Sequence, residues 1–320
     1  MKVLQTNSRI FLAWFIRVAR PMKVTRSTIS EPGALTFVLL AHPTAEVNLN
    51  TTPMKILLIF TTAFLSLTAG MSTSAESSSR SEMRIPVMVE LFTSEGCSSC
   101  PPADALLQKL DVQPIAGEEM IVLSEHVDYW NHIGWKDPYS SHFYSDRQSA
   151  YARRLGLSDV YTPQMIVDGT SQFVGSDETL ADKAFAQALT KPKIAMRLTS
   201  VSIGATNVLL AHVETGSLQE SFGLRMADVY VAVALNRAES HVSHGENAGR
   251  TLAHTAVVRS IVKVGSIRQG QAFDQDIQVK LDPGTDTHNL RLIAFVQEPG
   301  QGRVIGAAMH TVDAATTARN

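Results

Sequence analysis

The feature that most restricts the fold of this chain is its pair of cysteines. Cys97 and Cys100 are the only cysteines among the 320 residues, and two serines separate them. An apolar, largely β-branched stretch at residues 85–92 precedes them and predicts a buried strand. Residues 100–112 predict a helix, because the two prolines that follow Cys100 suit a first helical turn. The C-x-x-C motif is therefore expected where a strand meets the N-terminus of a helix.

Three kinds of chemistry compete for this motif. A redox pair is favoured because a helix N-terminus stabilises a thiolate, with Cys97 as the exposed nucleophile and Cys100 as the buried resolving thiol. Zinc needs about four ligands, and no second C-x-x-C exists, so His126, Asp128 and His132 would have to complete the site. A static disulfide across so short a loop gains little chain entropy. We therefore expect redox chemistry and no bound metal.

The N-terminal region carries a second signal. Residues 54–75 begin with Met54 and Lys55, continue with an apolar run, and end in small residues, which is typical of a secretory signal peptide. We predict that translation starts at Met54 and that residues 1–53 come from an upstream start. The apolar run at residues 10–16 is too short to predict a membrane anchor. The mature protein is expected to be periplasmic or secreted, where disulfides persist.

The length of 320 residues allows two ordinary domains, and the composition agrees with a folded chain. Hydrophobic residues make up 44% and charged residues 18%, which supports a sizeable core. The net charge of -2 gives no reason to expect nucleic acid as a partner. No run of eighteen apolar residues is present, so no membrane span is expected in the mature chain.

The periodicity of the chain predicts an α+β protein with two domains. Residues 83–190 show strand, helix, strand, helix, hairpin and helix in that order, with a turn at Asp168-Gly169 and Ser176 as a helix N-cap. Residues 191–193 read as a linker. Residues 194–315 contain short alternating runs and no helical period, which predicts an all-β, sandwich-like domain.

Several other residues are candidates for the site. Thr162-Pro163 precedes a short strand; a cis bond there would present a backbone edge to an extended substrate. Trp130 and Trp135 are candidates for the wall of a substrate groove. Glu95, His126 and Asp128 are candidates for acid–base chemistry or for tuning the thiols. Local packing, and for Asp104 the helix N-terminus, explain such residues equally well. The segment at residues 241–254 predicts a glycine-rich loop in which Glu246 and Arg250 could pair.

The order of these motifs resembles the thioredoxin superfamily. More narrowly, VELFTSEGCSSCPPAD, HVDYWNHIGWKDP, YTPQMIVDG and GENAGRTLAH are similar to an exported domain-of-unknown-function family, number 1223. The resemblance implies a thioredoxin-like domain and little else about function. Two departures from typical thioredoxins are Ser98-Ser99 between the cysteines and Gly96, rather than tryptophan, before Cys97. A reduction potential is therefore not transferable.

These observations lead to two hypotheses. The first is an exported thiol–disulfide oxidoreductase that acts on protein or small thiol substrates through Cys97 and Cys100, with Thr162, Pro163, Trp130 and Trp135 at the substrate. It needs no organic cofactor and depends on an unidentified redox recycling partner. The second is a non-catalytic exported binding protein whose C-x-x-C holds a metal ion or a static disulfide.

Overall fold

The structure, a computed structural model, describes residues 84–113, 117–204 and 207–312. The predicted upstream extension (1–53) and signal peptide (54–75) lie outside these residues. The described strands are β1 (Ile85–Thr93), β2 (Glu118–His126), β3 (Gln164–Val167), β4 (Ser171–Val174), β5 (Met196–Gly204), β6 (Val208–Thr215), β7 (Met226–His241), β8 (Thr251–Arg268), β9 (Asp274–Lys280), β10 (Leu290–Gln297) and β11 (Val304–Thr311). The described α-helices are α1 (Pro101–Val112), α2 (His142–Leu155) and α3 (Glu178–Leu189).

The first half of the described chain follows the predicted order of elements. Helix α1 begins at the two prolines after Cys100, as predicted. The hairpin between β3 and β4 is confirmed, with Asp168 and Gly169 both at positive φ. Helix α3 begins one residue later than expected, because the side chain of Asp177, and not of Ser176, accepts a hydrogen bond from Leu180 N.

The strands of both halves join in a single eight-stranded mixed sheet. Its order is β11-β10-β7-β8-β2-β1-β3-β4. Strands β1 and β2 are parallel, and β1 and β3 are antiparallel. The two halves meet where β2 pairs in parallel with β8, at Ser124 and Val257. A separate three-stranded sheet has the order β5-β6-β9.

Both faces of the large sheet are covered. Alternate residues of a strand point to opposite faces, so Val87, Val89 and Leu91 of β1 pack with α1 and α3, while Met88 packs with α2. The three-stranded sheet buries its apolar side chains against β7 and β10 in a further core. Within the described ranges, no helix is long and apolar enough to cross a membrane.

The predicted fold class is therefore wrong. We expected a thioredoxin-like α/β domain followed by a separate all-β sandwich-like domain, but the described residues belong to one compact unit with a continuous sheet. The reason lies in β7 and β8, which are 16 and 18 residues long and reach beyond the short runs recognised in the sequence. Periodicity identifies strands, but it does not specify which strand pairs with which.

Candidate functional site

The two cysteines lie at the carboxyl end of β1 and are joined in a disulfide. Their Cα atoms are 5.4 Å apart, and Cys100 is the N-cap residue of α1. The carbonyl oxygen of Cys100 accepts hydrogen bonds from Ala103 N and Asp104 N, at 2.8 and 3.1 Å. The disulfide is thus built into the first turn of the helix.

The disulfide is completely covered. Cys97 and Cys100 both have 0% exposure, although Ser98 and Ser99 between them are exposed. The expectation that Cys97 is an exposed nucleophile is therefore wrong for this state of the molecule. Sequence spacing placed Cys97 at the helix N-terminus, but it could not show which distant segment covers it.

The β7–β8 loop (residues 242–250) is a distant segment that is hydrogen-bonded to the backbone around Cys97. Asn247 is fully buried, and its Nδ2 donates to the carbonyl oxygens of Glu95 and Cys97, at 2.9 and 3.0 Å. The exposed Glu246 accepts a hydrogen bond from Ser98 N through Oε2, at 3.0 Å. The predicted pairing of Glu246 with Arg250 is not formed, since the hydrogen bond of Arg250 Nη1 goes to Asn247.

A group of buried ionisable side chains lies beside the disulfide; we call Glu95, Asp104, His126, Asp137 and His254 the His254 cluster. His254 Nε2 lies 3.3 Å from Glu95 Oε1, and His254 Nδ1 lies 3.8 Å from Asp104 Oδ1. Burial opposes protonation of His254. The interactions with Asp104 and Glu95 outweigh burial and raise the pKa of His254 to about 10. His254 is therefore an imidazolium at neutral pH.

The cluster continues through a second histidine. The rings of His126 and His254 meet edge to face with centroids 4.7 Å apart. His126 Nδ1 lies 2.7 Å from Asp137 Oδ2, an oxygen that also accepts a hydrogen bond from Glu95 N at 2.9 Å. Burial opposes ionisation of Asp137, but His126 and the two backbone N–H groups of Glu95 and Tyr139 hold the pKa of Asp137 below its usual value. Buried polar groups thus extend without interruption from Asp137 to Asp104.

The predicted cis bond at Thr162-Pro163 is confirmed. Thr162 Oγ1 accepts a hydrogen bond of 2.8 Å from Trp130 Nε1, so two predicted substrate-binding residues are direct neighbours. Trp130 also packs on the residue before Cys97, since a Cβ on Gly96 would lie 3.2 Å from Trp130 Cβ. Gly96 therefore lets Trp130 approach the chain next to the disulfide.

The other predicted site residues take different places. Half-buried Trp135 donates through Nε1 to Glu95 Oε2 at 2.7 Å, so it contacts the His254 cluster. Asp128 Oδ1 instead accepts from the Ser145 hydroxyl of α2, at 2.5 Å. His132 is exposed, and its Nδ1 lies 2.7 Å from the carbonyl oxygen of Tyr129. In the described part of the chain, no group of three or more His, Cys, Asp or Glu residues is placed to hold a metal ion.

A second buried ionic group occupies the α2 face of the sheet. Arg147 Nε donates to Glu90 Oε1 at 2.7 Å, and the same nitrogen lies 3.6 Å from Glu125 Oε2. Tyr151 donates to Glu90 Oε2 at 2.5 Å. Burial, together with repulsion from Glu90, raises the pKa of Glu125 well above its usual value. This group lies within the core rather than at the disulfide.

Comparison with protein families finds one matching family model. The model of the family described as "Protein of unknown function (DUF1223)" matches residues 88–297, which is more than half of the chain. The chain belongs to the DUF1223 family. The matched residues include both cysteines, the His254 cluster and the β7–β8 loop, so the family match covers the complete candidate site.

Two solved structures share the fold of this DUF1223 chain. An X-ray structure of a protein from Agrobacterium tumefaciens is 25% identical, with a TM-score of 0.57 over 72% of this chain and 96% of that chain. The structure of HBP35 of Porphyromonas gingivalis is 18% identical, with the same TM-score of 0.57 over 74% of this chain and 78% of that chain; this likeness concerns the fold alone. A search of curated proteins found no match.

Sequence reasoning missed three of the residues at this DUF1223 site. Asn247 and Asp137 were not singled out as site residues, and His254 was included only as the last residue of the predicted glycine-rich loop at residues 241–254. The signal for Asn247 and His254 was present in the GENAGRTLAH segment (residues 245–254). That segment lies 150 residues from Cys97 along the chain and contacts it only in the folded protein. A single sequence does not reveal such a contact.

Proposed function

We propose that this chain is an exported thiol–disulfide oxidoreductase whose redox pair is Cys97 and Cys100. The observation that carries the proposal is the disulfide that these residues form at the N-cap of α1, directly beside buried titratable groups. A helix N-terminus favours the thiolate form of a cysteine, which is the form that attacks disulfides.

The reaction consists of two exchange steps. The Cys97 thiolate attacks one sulfur of a substrate disulfide, so a mixed disulfide forms and one substrate thiolate leaves. The Cys100 thiolate then attacks Cys97 Sγ, which releases the second substrate thiolate and closes the Cys97–Cys100 disulfide. The substrate gains two electrons and two protons, and the protein loses them; the reverse sequence oxidises a substrate dithiol.

The His254 cluster would exchange protons with this pair. Glu95 is two residues before Cys97, and Asp104 lies in the first turn of the helix that Cys100 caps. The carboxylates of both residues would disfavour a nearby thiolate, and the imidazolium of His254 offsets that effect. We propose that Glu95 tunes the pKa values of the two thiols and that His126 supports it through Asp137. Asp128 has no such role in this proposal, because it contacts Ser145 of α2 instead.

The substrate would bind beside Trp130 and Thr162. Their hydrogen bond fixes the indole next to Gly96, and the backbone at Thr162-Pro163 enters β3 close to the first turn of α1. Trp135, held by Glu95, would form the other side of the groove. Aromatic walls of this kind supply contact area for an extended peptide segment. The partners are a thiol or disulfide substrate and a redox recycling protein, and no organic cofactor takes part.

Turnover tests this proposal. Wild-type protein should accelerate the reduction of insulin by dithiothreitol, and Cys97→Ser should abolish the acceleration. Cys100→Ser should accumulate a mixed disulfide, because the resolving thiol is missing. A wild-type protein without turnover on insulin and on a scrambled disulfide substrate would refute the proposal, as would full activity of Cys97→Ser.

One observation favours a second function, a binding protein with a static disulfide. Both cysteines are closed and fully buried in this structure, as in a structural cross-link. The two functions differ in lability: a static disulfide resists mild reductant, whereas a redox pair cycles. Differential alkylation after incubation with a millimolar monothiol separates them.

A further inference from the structure

The β7–β8 loop is a compact unit with its own anchoring bonds. Val242 N donates to Arg250 O at 2.9 Å, and Gly249 N donates to Val242 O at 2.7 Å, which closes the base of the loop. Gly245 and Gly249 have φ values of 80° and 81°, a region that glycine adopts without strain. Residues 246–248, between these two glycines, form the tip of the loop. Asn247 is buried beside the disulfide segment, and its two neighbours are exposed.

Asn247 is the residue through which the tip of this loop is attached. Its Nδ2 donates both of its hydrogens, to Glu95 O and Cys97 O, and its Oδ1 accepts from Arg250 Nη1 at 2.8 Å. Both N–H groups and the carbonyl oxygen of the side-chain amide are therefore hydrogen-bonded, which fixes the orientation of the amide. Its neighbours Glu246 and Ala248 are exposed, so little apolar burial holds the tip of the loop in place.

The loop uses the backbone groups that surround the nucleophile. Ser98 N donates to Glu246, and Cys97 O accepts from Asn247. Glu246 and Asn247 therefore occupy a donor and an acceptor of the backbone next to the Cys97 side chain.

We propose that the β7–β8 loop is a displaceable cover over Cys97, and that Asn247 determines how often the cover opens. The inference rests on the proposed function for its purpose, because a cover matters only if an external thiol must reach the disulfide. Cys97 has no exposed surface in this state, and its Sγ lies 3.4 Å from Ser99 Oγ, so an attacking thiolate has no path to the sulfur until a covering segment moves. Displacement of Asn247 frees the carbonyl of Cys97 and opens that path.

The chemical step behind the cover is balanced. An external thiolate attacks Cys97 Sγ, a new sulfur–sulfur bond forms, and the Cys97–Cys100 bond breaks. The electron pair leaves with Cys100 as a thiolate, which takes a proton from the His254 cluster or from water. Loop opening precedes this step, and the loop itself takes no part in the electron transfer.

The test measures the rate at which dithiothreitol reduces the Cys97–Cys100 disulfide of the full chain, by rapid alkylation and mass analysis. Asn247→Ala should raise the second-order rate constant roughly tenfold or more, because two hydrogen bonds that hold the cover are lost. Glu246→Ala should raise it about twofold to fivefold, since its single bond is exposed to solvent. Asn289→Ala is the matched control, because its side chain bonds only Arg237 in a loop away from the disulfide, and should leave the rate unchanged.

Two further features of the test keep it decisive. Local opening of the cover exposes little surface, so the rates should be independent of low urea concentrations, whereas global unfolding would make them rise with urea. If Asn247→Ala does not fold, the exposed Glu246→Ala decides alone. Wild-type rates in both variants would overturn the inference. No substrate protein is used, so a failure of insulin turnover would leave this result unaffected.

Discussion

His254 combines a positive charge with nearly complete burial, a pairing that proteins tolerate only when opposite charges are close. Glu95 and Asp104 provide those charges on either side of the ring. The pKa of His254 is raised from 6.5 to about 10 in the folded protein, so the free energy of unfolding depends on pH through this residue. The raised value means that the stabilisation is complete below pH 6.5 and is lost as the pH rises through 10.

The first prediction concerns this pH dependence. His254→Gln should be less stable than wild type by on the order of 3 kcal/mol at pH 6.5, and the difference should shrink steadily towards pH 10. Urea unfolding at a series of pH values measures it. His288→Gln replaces an exposed histidine, so it serves as the control and should follow wild type throughout. A difference that stays constant from pH 6.5 to 10 would show that His254 is not the titrating group.

The second prediction concerns the ionic group on the α2 face. Arg147→Leu should cost about 3–5 kcal/mol, because it leaves Glu90 as a buried charge without its cation. Glu125→Gln should cost much less, about 1 kcal/mol at most, because burial and Glu90 raise the pKa of Glu125 and so favour the neutral carboxyl, which a glutamine side chain resembles. Urea unfolding distinguishes the two. A loss in Glu125→Gln as large as that in Arg147→Leu would mean that Glu125 is ionised.

At the scale of elements, the packing of β1, α1 and the start of β3 is closest at Gly175. A Cβ on Gly175 would lie 2.7 Å from Leu91 Cδ1, 3.1 Å from Ala103 Cβ and 3.3 Å from Pro163 Cβ. These three contacts come from the strand before Cys97, the first turn of α1, and the residue after Thr162. The small residue thus lets the parts of the candidate site approach each other.

The third prediction follows from this close contact. Gly175→Ala should destabilise the fold by about 1–3 kcal/mol, because the added methyl group overpacks a filled site. It should also slow insulin turnover by displacing Pro163 from α1. Gly204→Ala is the matched control, since its nearest contact would be an ordinary 3.5 Å. Equal stability of the two variants in thermal unfolding would contradict the packing described here.

The elements of the first half were largely predictable from the sequence, whereas the strand partners were not. The prolines after Cys100, the Asp168-Gly169 turn and the leucines of α1 are local signals, and local physics decides them. Strand β5 was missed altogether. Its residues are mostly half-buried, so its sequence shows no clean alternation. The pairing of β2 with β8 rests on Ser124 and Val257, residues that carry no pairing signal.

At the scale of the whole molecule, several contacts tie the two halves together. Arg291 of β10 binds Asp111 of α1 through two nitrogens, at 2.5 and 2.9 Å. Lys193 binds Asp168 at 2.6 Å, so the segment predicted as a linker is attached to the β3–β4 turn. Because of these contacts and the continuous sheet, the described residues form one compact unit rather than two separate domains.

The fourth prediction is that residues 84–312 unfold in one cooperative transition. Tryptophan fluorescence reports on the first half, where Trp130 and Trp135 lie, and far-ultraviolet circular dichroism reports mainly on the strands. Both should give the same urea midpoint and slope. Two separate midpoints would instead support the two-domain fold that the sequence suggested.

The candidate site shows a similar division between local and long-range information. Cys97, Cys100 and the Thr162-Pro163 bond were recognisable because each is marked by its immediate neighbours. The contacts of Asn247 and His254 with residues 95–97 arise because β8 packs on α1 and the β7–β8 loop reaches the disulfide segment, which are long-range contacts. The positions of the cysteines and the cis bond were therefore predictable from local motifs, whereas the burial of the disulfide was not.

The reduction potential of the Cys97–Cys100 pair tests the central claim most directly. The protein would be equilibrated in glutathione and dithiothreitol redox buffers and quenched by alkylation, and the reduced fraction would be fitted to give the potential. A redox pair should cycle reversibly at a potential between about −120 and −270 mV, the range of thiol–disulfide oxidoreductases. A pair that stays oxidised until below about −300 mV is a structural disulfide, and that result would contradict the account.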